Sequence, residues 1–478
     1  MKIRKVSRLV GAAVLLVVWQ ARAQSVSPPA ASATGSPPAV GVLPPSPLST
    51  AMSNGWQMLP YGFAELDAMH DTSQSYGPAS NNAMLARPGS YAGAHTRTQF
   101  TVANSQVGLW VAPPEFGGIK TMGRAEIDFF GVQPTDATEQ TAFTTPSVRL
   151  RLYYMAVKTP IVDALIGQYH DLFGWGGGGF YQNSVAFLGV AGEIYHRNPQ
   201  IRLSKTFSSA PVDVELAVAA VRPVERDSEA PDGQAGIKLT VNGWKGATAQ
   251  GFNQPIVVPL ALGVSAVGRR FAVAEFITNP GDAKVTTGWG VAVNAFLPVV
   301  PVRNAANRGN ALSLTGELST GSGIADLYTG LTGGALFPLL PDPSGNLVPP
   351  PVYRPDIDSG IVTYDANGNL KSIDWRSLVL GLQYYLPVAR GRIWISGTVS
   401  RLESANILSL TPEASRGGIF IRQDYVDGNL FAGLTPQLQV GLSYQLTQQT
   451  FGDRPFGNTE PHPVARNQRA EIGFRLFF

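Results

Sequence analysis

The sequence predicts an all-β chain, a transmembrane antiparallel β-barrel of sixteen strands with short periplasmic turns and long outer loops. Three observations predict it. The chain opens with an export leader. No later stretch holds 18 uninterrupted apolar residues. From Gln57 onward, segments of about ten residues alternate apolar and polar positions. In lipid only helices and closed barrels satisfy every backbone group, so an exported chain without an apolar helix but with many alternating segments reads as a barrel.

The leader is residues 1–23. Lys2, Arg4, Lys5 and Arg8 form a basic start, Leu9 to Trp19 an apolar run too short to span a bilayer, and Ala21-Arg22-Ala23 a small-x-small cleavage site. Removing it changes the charge. Five of the 36 basic residues lie in the leader, which leaves 31 against 33 acidic residues. The positive balance of the whole chain therefore gives no reason to expect a nucleic-acid partner. With no cysteine, no disulfide holds this exported chain, and backbone pairing must do so. Charged residues make up 14% and glycine is abundant at 52 residues, which suits a barrel with one apolar face.

Residues 24–55 are rich in Pro, Ala and Ser and cannot bury a core, so a disordered periplasmic leader is expected there. The barrel domain is expected over 56–478. Its strands are predicted near 57–69, 96–111, 119–131, 147–159, 162–173, 200–208, 212–222, 235–242, 256–272, 285–297, 310–320, 374–387, 391–402, 416–427, 437–450 and 468–478. The clearest is 437–450: Leu438, Val440, Leu442, Tyr444 and Leu446 take one face, and Gln439, Ser443, Gln445 and Thr447 the other. Connections alternate short and long, apart from 243–255, which is too long for a tight turn and reads as an insertion.

Strand parity assigns charges to faces. Lys120, Arg124, Glu126 and Asp128 share one face, opposite Ala125, Ile127 and Phe129. Arg149, Arg151 and Tyr153 oppose Leu150, Leu152 and Tyr154. Arg469, Glu471 and Arg475 oppose Ala470, Ile472 and Phe474, and Lys238, Glu317 and Arg422 fall on polar faces. A cation facing lipid at the midplane costs about 2–4 kcal/mol, so the charged faces belong to the lumen. Two readings stay open. These charges form a hydrated wall of paired groups, or Arg124, Arg149, Arg151, Arg202 and Arg422 form a basic strip that filters anions. Lys205 alone lies on an apparent lipid face, with Ile201, Leu203 and Phe207. Loop 174–199, with Trp175 and Tyr181 in a Gly-rich, aromatic and polar setting, is expected to fold inward and narrow the pore. Phe207, Tyr384 and Phe478 are expected in an aromatic girdle at the periplasmic interface.

Catalysis is not expected. His70, His95, His170, His196 and His462 show no metal-ligand spacing, no nucleophile elbow is present, and no cofactor or metal is expected.

The chain ends AEIGFRLFF, which resembles the carboxy-terminal assembly signal of bacterial outer-membrane proteins, with Phe478 as its last residue. The stretches YGFAELDA at 61–68, QVGLWVAPPEFGGIKTMGRAEIDFFG at 106–131 and VRLRLYYMAVKTPIVDALIGQYHDLF at 148–173, with the closing strands, resemble the DcaP-like trimeric porins. The resemblance implies a sixteen-stranded barrel in the Gram-negative outer membrane, a homotrimer, an inward third loop and contact with the barrel assembly machinery. It also implies passive diffusion of small hydrophilic solutes, with small anions such as dicarboxylates favoured at Arg124, Arg149 and Arg151. The coiled-coil segment that such porins can carry before the barrel is not matched, because 24–55 has no heptads and many prolines. A transporter for hydrophobic compounds would show a folded plug and an apolar path, and a secreted adhesive β-protein would show two packed sheets.

Overall fold

Period-two alternation puts successive side chains on opposite faces of a strand, and sixteen strands with that pattern close on one another here. The computed structural model describes residues 50–51, 54–78, 84–131, 147–176, 190–225, 228–248, 257–274, 282–329, 357, 360–365, 367–454 and 461–478. The expected leader at 1–23 and most of 24–55 lie outside the described residues, although Thr50–Ala51 already pairs with Met58 and Gln57.

The barrel strands are β1 (Gln57–Asp71), β2 (Arg97–Thr101 with Gln106–Ala112), β3 (Lys120–Asp128), β4 (Arg149–Lys158), β5 (Asp163–His170), β6 (Arg197–Ser209), β7 (Val212–Val221) and β8 (Asp232–Ala247). They continue as β9 (Val257–Ala274), β10 (Ala283–Val300), β11 (Leu312–Ser322), β12 (Asp374–Tyr385), β13 (Ile393–Ser404), β14 (Phe420–Gly433), β15 (Leu438–Phe451) and β16 (Val464–Phe477). Each pairs antiparallel with the next, and β16 returns to β1 in register from Phe63↔Phe477 to Asp71↔Arg469. Closure removes every edge, which a two-sheet sandwich does not do. Among the described residues no helix is long and apolar enough to cross a membrane.

The outer wall is apolar. Leu66, Leu203, Val218, Ile237, Val264, Val291, Leu318, Leu380, Val399 and Phe474 all point outward and are exposed. The inward positions between them are Glu, Asp, Arg, Gln, Ser and Thr. Short turns such as 159–162 and 434–437 close the end that holds the C-terminus, and the long connections 171–196 and 323–373 leave the other end. Phe207, Tyr384 and Phe478 all sit at the short-turn end.

The strand count agrees with the sequence, but three local features depart from it. First, β4 carries a bulge. Glu126 pairs with Leu152 and Ile127 with Leu150, so Arg151 is the extra residue. The phase flips there. Arg149 and Arg151 point inward, then Leu152, Tyr154 and Ala156 do, and Tyr153 turns out toward lipid, contrary to strict parity. Second, β8 runs on past 242 to Ala247 through a bulge between Val241 and Lys245, so the first five residues of the supposed insertion, 243–247, are strand. Third, β14 starts at Phe420 rather than near 416, because Glu413–Gly418 is a 3-10 turn. Lys205 faces outward, where parity placed it, and its ammonium donates to the carbonyl of Pro160 at 2.6 Å in the nearby turn. Its stem lies along the wall and its charge reaches the interface.

The seam between the chain ends is closed by backbone. Phe478 N–H donates to Gly62 C=O at 3.0 Å, and Gly62 N–H to Phe478 C=O at 3.2 Å. The Phe478 ring covers Gly62: a Cβ there would meet Phe478 Cζ at 2.4 Å. A glycine is required because the terminal ring occupies the place of its side chain.

Candidate functional site in the loop-crossed lumen

The third long connection enters the barrel. After β5, Phe173–Trp175 forms one buried 3-10 turn. Phe173 N–H donates to Gln234 Oε1 at 2.8 Å on β8, Gly174 N–H to Ser265 Oγ at 2.8 Å on β9, and the Trp175 indole N–H to Val264 C=O at 3.0 Å. Gly236 and Gly263 leave the room that the indole fills, since a Cβ at either would lie within 3.0 Å of the ring. The returning segment 190–195 crosses to other strands. Ser377 Oγ on β12 donates to Gly192 C=O at 2.7 Å, Ser400 Oγ on β13 donates to Ala191 C=O, and Ile194 N–H donates to Glu317 Oε1 at 2.8 Å on β11. It also pairs with the loop that follows β11, Gly192 N–H to Thr329 C=O at 2.7 Å and Tyr195 N–H to Leu327 C=O at 3.0 Å. Loop amides thus take inward-facing side chains of the wall as their partners, which fixes the described ends of the loop, 173–176 and 190–195, inside the lumen. Tyr181 lies outside the described residues.

Facing this loop, β3 and β4 bring five of the predicted residues together. Arg149 binds Asp128 through two nitrogens, Nε to Oδ1 at 3.0 Å and Nη2 to Oδ2 at 2.6 Å. Arg151 bridges three groups: Nε to Glu126 Oε1 at 2.9 Å, Nη1 to Asp128 Oδ2 at 2.9 Å and Nη2 to the Tyr195 hydroxyl at 3.2 Å. Arg124 donates to Glu126 Oε2 at 2.6 Å and to the Tyr61 hydroxyl, and its guanidinium lies 4.4 Å from the Trp110 ring centroid. Plain alternation already sets Arg149 and Arg151 on the lumen face beside the carboxylates of β3, and the bulge changes the phase only from Leu152 onward.

Sequence reasoning missed Arg197, the first residue of β6. It lies 5.5 Å from the Tyr195 ring centroid, and its Nη1 is buried without a hydrogen-bond partner among the described residues. Four guanidinium groups thus stand with two carboxylates, Glu126 and Asp128. The only sequence signal was a basic residue at the junction of an outer loop and a strand. Burial raises the Tyr195 phenol, but the charges of Arg151 and Arg197 outweigh it and hold the phenol below its ordinary pKa. On the same loop, His196 Nδ1 stands 3.7 Å from Asp171 Oδ2. Burial alone would lower this imidazole, and the bond and charge of Asp171 raise it above its ordinary value.

The other predicted residues are not part of this group. Arg202 points inward but donates to Gln200 Oε1 at 3.1 Å and His170 C=O at 2.5 Å, beside the Tyr169 ring. Arg422 is on the wrong face for a filter: it points to the outer wall with Asp424, 2.9 Å away, while Gln423, Tyr425 and Asp427 point inward. Parity misled because only the loop half of that outward face is polar; Val426 and Leu430 continue it toward the midplane. Elsewhere in the lumen, Arg469 grips Asp71, Arg475 grips Glu65, Lys238 meets Glu215 at 2.7 Å, and Arg269 joins Asp232 and Asp326.

A closed sixteen-stranded antiparallel barrel with an apolar outer wall, a charged lumen and an inward loop is the architecture of an outer-membrane channel barrel. No family model matches the sequence, and no curated protein matches it. Among solved structures, the fold is similar to the outer membrane channel DcaP of Acinetobacter baumannii, with a TM-score of 0.59 at 16% identity over 90% of this chain and 99% of that one. It also matches an anion-selective porin from Comamonas acidovorans at a TM-score of 0.48 and 10% identity, over 88% of this chain and 100% of that one.

Proposed function

We propose that this protein is a porin, a water-filled channel for passive diffusion of small hydrophilic solutes that favours small anions such as dicarboxylates. The observation that carries this reading is the meeting of an inward-anchored loop with the group of Arg124, Arg149, Arg151 and Arg197, which outnumbers its carboxylates by four to two. A guanidinium offers a fork that fits carboxylate, and a narrow passage through low-dielectric walls strengthens the field of a small charge surplus. The pairing does not cancel it, because Glu126 and Asp128 are shared among three arginines. Diffusion through such a lumen needs no cofactor or energy input. We further infer a homotrimer. Supporting this, Ala64, Ala68 and Ala470 give the outer wall at the seam a small-residue surface that another barrel can approach closely.

Single-channel recording in planar bilayers tests this reading. Stepwise conductance, with current blocked by added succinate more than by a neutral solute of the same size, is the expected result. Silent bilayers at normal protein insertion would refute the channel, and equal block by both solutes would refute the anion preference.

A further inference from the structure

The outer wall of β12–β16 carries charges where a lipid-facing wall should carry none. Arg376, Arg401, Arg422 and Arg466 point outward at the loop end of these strands, with Glu403 and Asp424 between them. The strand register sets them side by side: Arg376↔Glu403↔Arg422 in one row, Arg401↔Asp424↔Gln448↔Arg466 in the next. Three of these arginines donate through Nε alone, and Arg422 has only an ion pair. Arg376 Nε donates to Glu403 at 2.7 Å, Arg401 Nε to Asp424 at 2.6 Å and Arg466 Nε to Gln448 at 2.7 Å, and Arg422 Nε stands 2.9 Å from Asp424. Among the described residues, none of their terminal nitrogens has a hydrogen bond. The side chains of Arg376 and Arg401 are 67% and 55% exposed.

Directly toward the midplane, Leu378, Val399, Val426 and Leu446 line a shallow groove of about 510 Å³ whose rim is Arg401 and Arg422. The surface is thus greasy below and cationic above, with four guanidinium groups against two carboxylates. Long loops mark this end as the outer-leaflet side. We propose that this wall is a docking site for the phosphorylated glycolipid of the outer leaflet. Its acyl chains lie along the apolar groove, and its phosphates accept from the free terminal nitrogens of Arg376, Arg401 and Arg422. Guanidinium binds phosphate in a two-pronged geometry. The occupant is argued from charge and from depth. An amphipathic lipid with anionic groups at the interface matches both halves of the surface, whereas a second copy of the barrel would need acidic groups facing the same rows. The inference rests on the outer-membrane reading of the fold and not on what the lumen conducts.

The test uses the full-length protein in detergent, titrated with bis-phosphorylated lipid A and followed by native mass spectrometry. The triple substitution Arg376→Gln, Arg401→Gln, Arg422→Gln should weaken binding about ten-fold or more, the size of one lost charge-assisted contact. Dephosphorylated lipid A should bind the native protein equally weakly, and the corresponding Lys triple variant should recover only part of the affinity. Unchanged lipid A binding by the Gln variant would overturn the proposal. So would displacement of lipid A by an equal concentration of inorganic phosphate, which would mark a plain phosphate site. Loss of the oligomer in the Gln variant would also overturn it, in favour of a contact between copies. Unaltered single-channel conductance in the same variant separates failure here from failure of the channel reading.

Discussion

The barrel holds two groups of arginines, and they use their nitrogens differently. In the lumen, Arg151 and Arg469 each donate from all three kinds of guanidinium nitrogen, and Arg149 from two. On the outer wall, Arg376, Arg401 and Arg466 donate from Nε only. Arg151 and Arg469 are buried, where an unmatched donor carries a desolvation cost. The outer groups lie at an interface where water or a ligand supplies the partner. Saturated guanidinium groups therefore hold structure and shape a field, and unsaturated ones are available to bind.

That contrast predicts stability effects of different size. The largest is expected for Arg469→Ala. Arg469 closes β16 on β1 through two bonds to Asp71 and also holds the carbonyls of Gly77 and Pro78. Its loss should cost about 3–5 kcal/mol, as for a broken buried pair, read as a lower midpoint in urea unfolding from micelles. A cost no greater than that of an outer-wall arginine would dissolve the distinction.

A second effect belongs to the same seam. Gly62→Val drives a side chain into the Phe478 ring and the Gln106 carbonyl, with Cβ contacts of 2.4 and 2.5 Å. It should destabilise by about 1–3 kcal/mol and lower the yield of assembled barrel in the outer membrane. Deleting Phe478 should lower that yield as well, and normal amounts of folded protein would contradict the seam's role.

A smaller effect is expected with pH, and it belongs to the loop. The His196 pKa is raised in the folded state by Asp171. A raised histidine contributes its stabilisation fully below its unfolded value, near ~6.5, and loses it as pH rises through the folded value. The loop should therefore be held most firmly below the unfolded value and loosen as pH rises through the folded one, seen as current noise that grows with pH. His196→Gln should abolish the difference; noise that fell with rising pH would show the sign to be wrong.

The smallest effect is expected for Arg376→Gln. Its pair with Glu403 is exposed, and such pairs contribute roughly 0–1 kcal/mol. Urea unfolding should scarcely change, and a shift as large as that of Arg469→Ala would show that the outer rows are structural.

The sixteen strands were legible because alternation recurs along the whole chain and because a charge in lipid is costly. In β15, Leu438 to Leu446 and Gln439 to Thr447 fall on the faces that parity assigns. What was not legible depended on single extra residues and on distant pairing. The bulge at Arg151 exchanges the faces of Tyr153 and Tyr154, and no pattern within β4 announces it. Arg422 looked like a lumen residue because polarity on an outward face near the rim mimics an inward one. Arg197 emerged only when the loop put Tyr195 between it and Arg151. The presence of charges was readable; which of them meet was decided by register and by a loop anchored on strands far along the chain.

Whether the lumen arginines set ion selectivity is read from the reversal potential in a potassium chloride gradient for the native protein, for Arg149→Ala/Arg151→Ala and for Arg401→Gln/Arg422→Gln. The native channel should be anion-selective, the lumen double variant should shift clearly toward cations, and the outer-wall variant should not shift. Selectivity unchanged by removing Arg149 and Arg151, or moved equally by the outer-wall pair, would contradict that role of the lumen arginines.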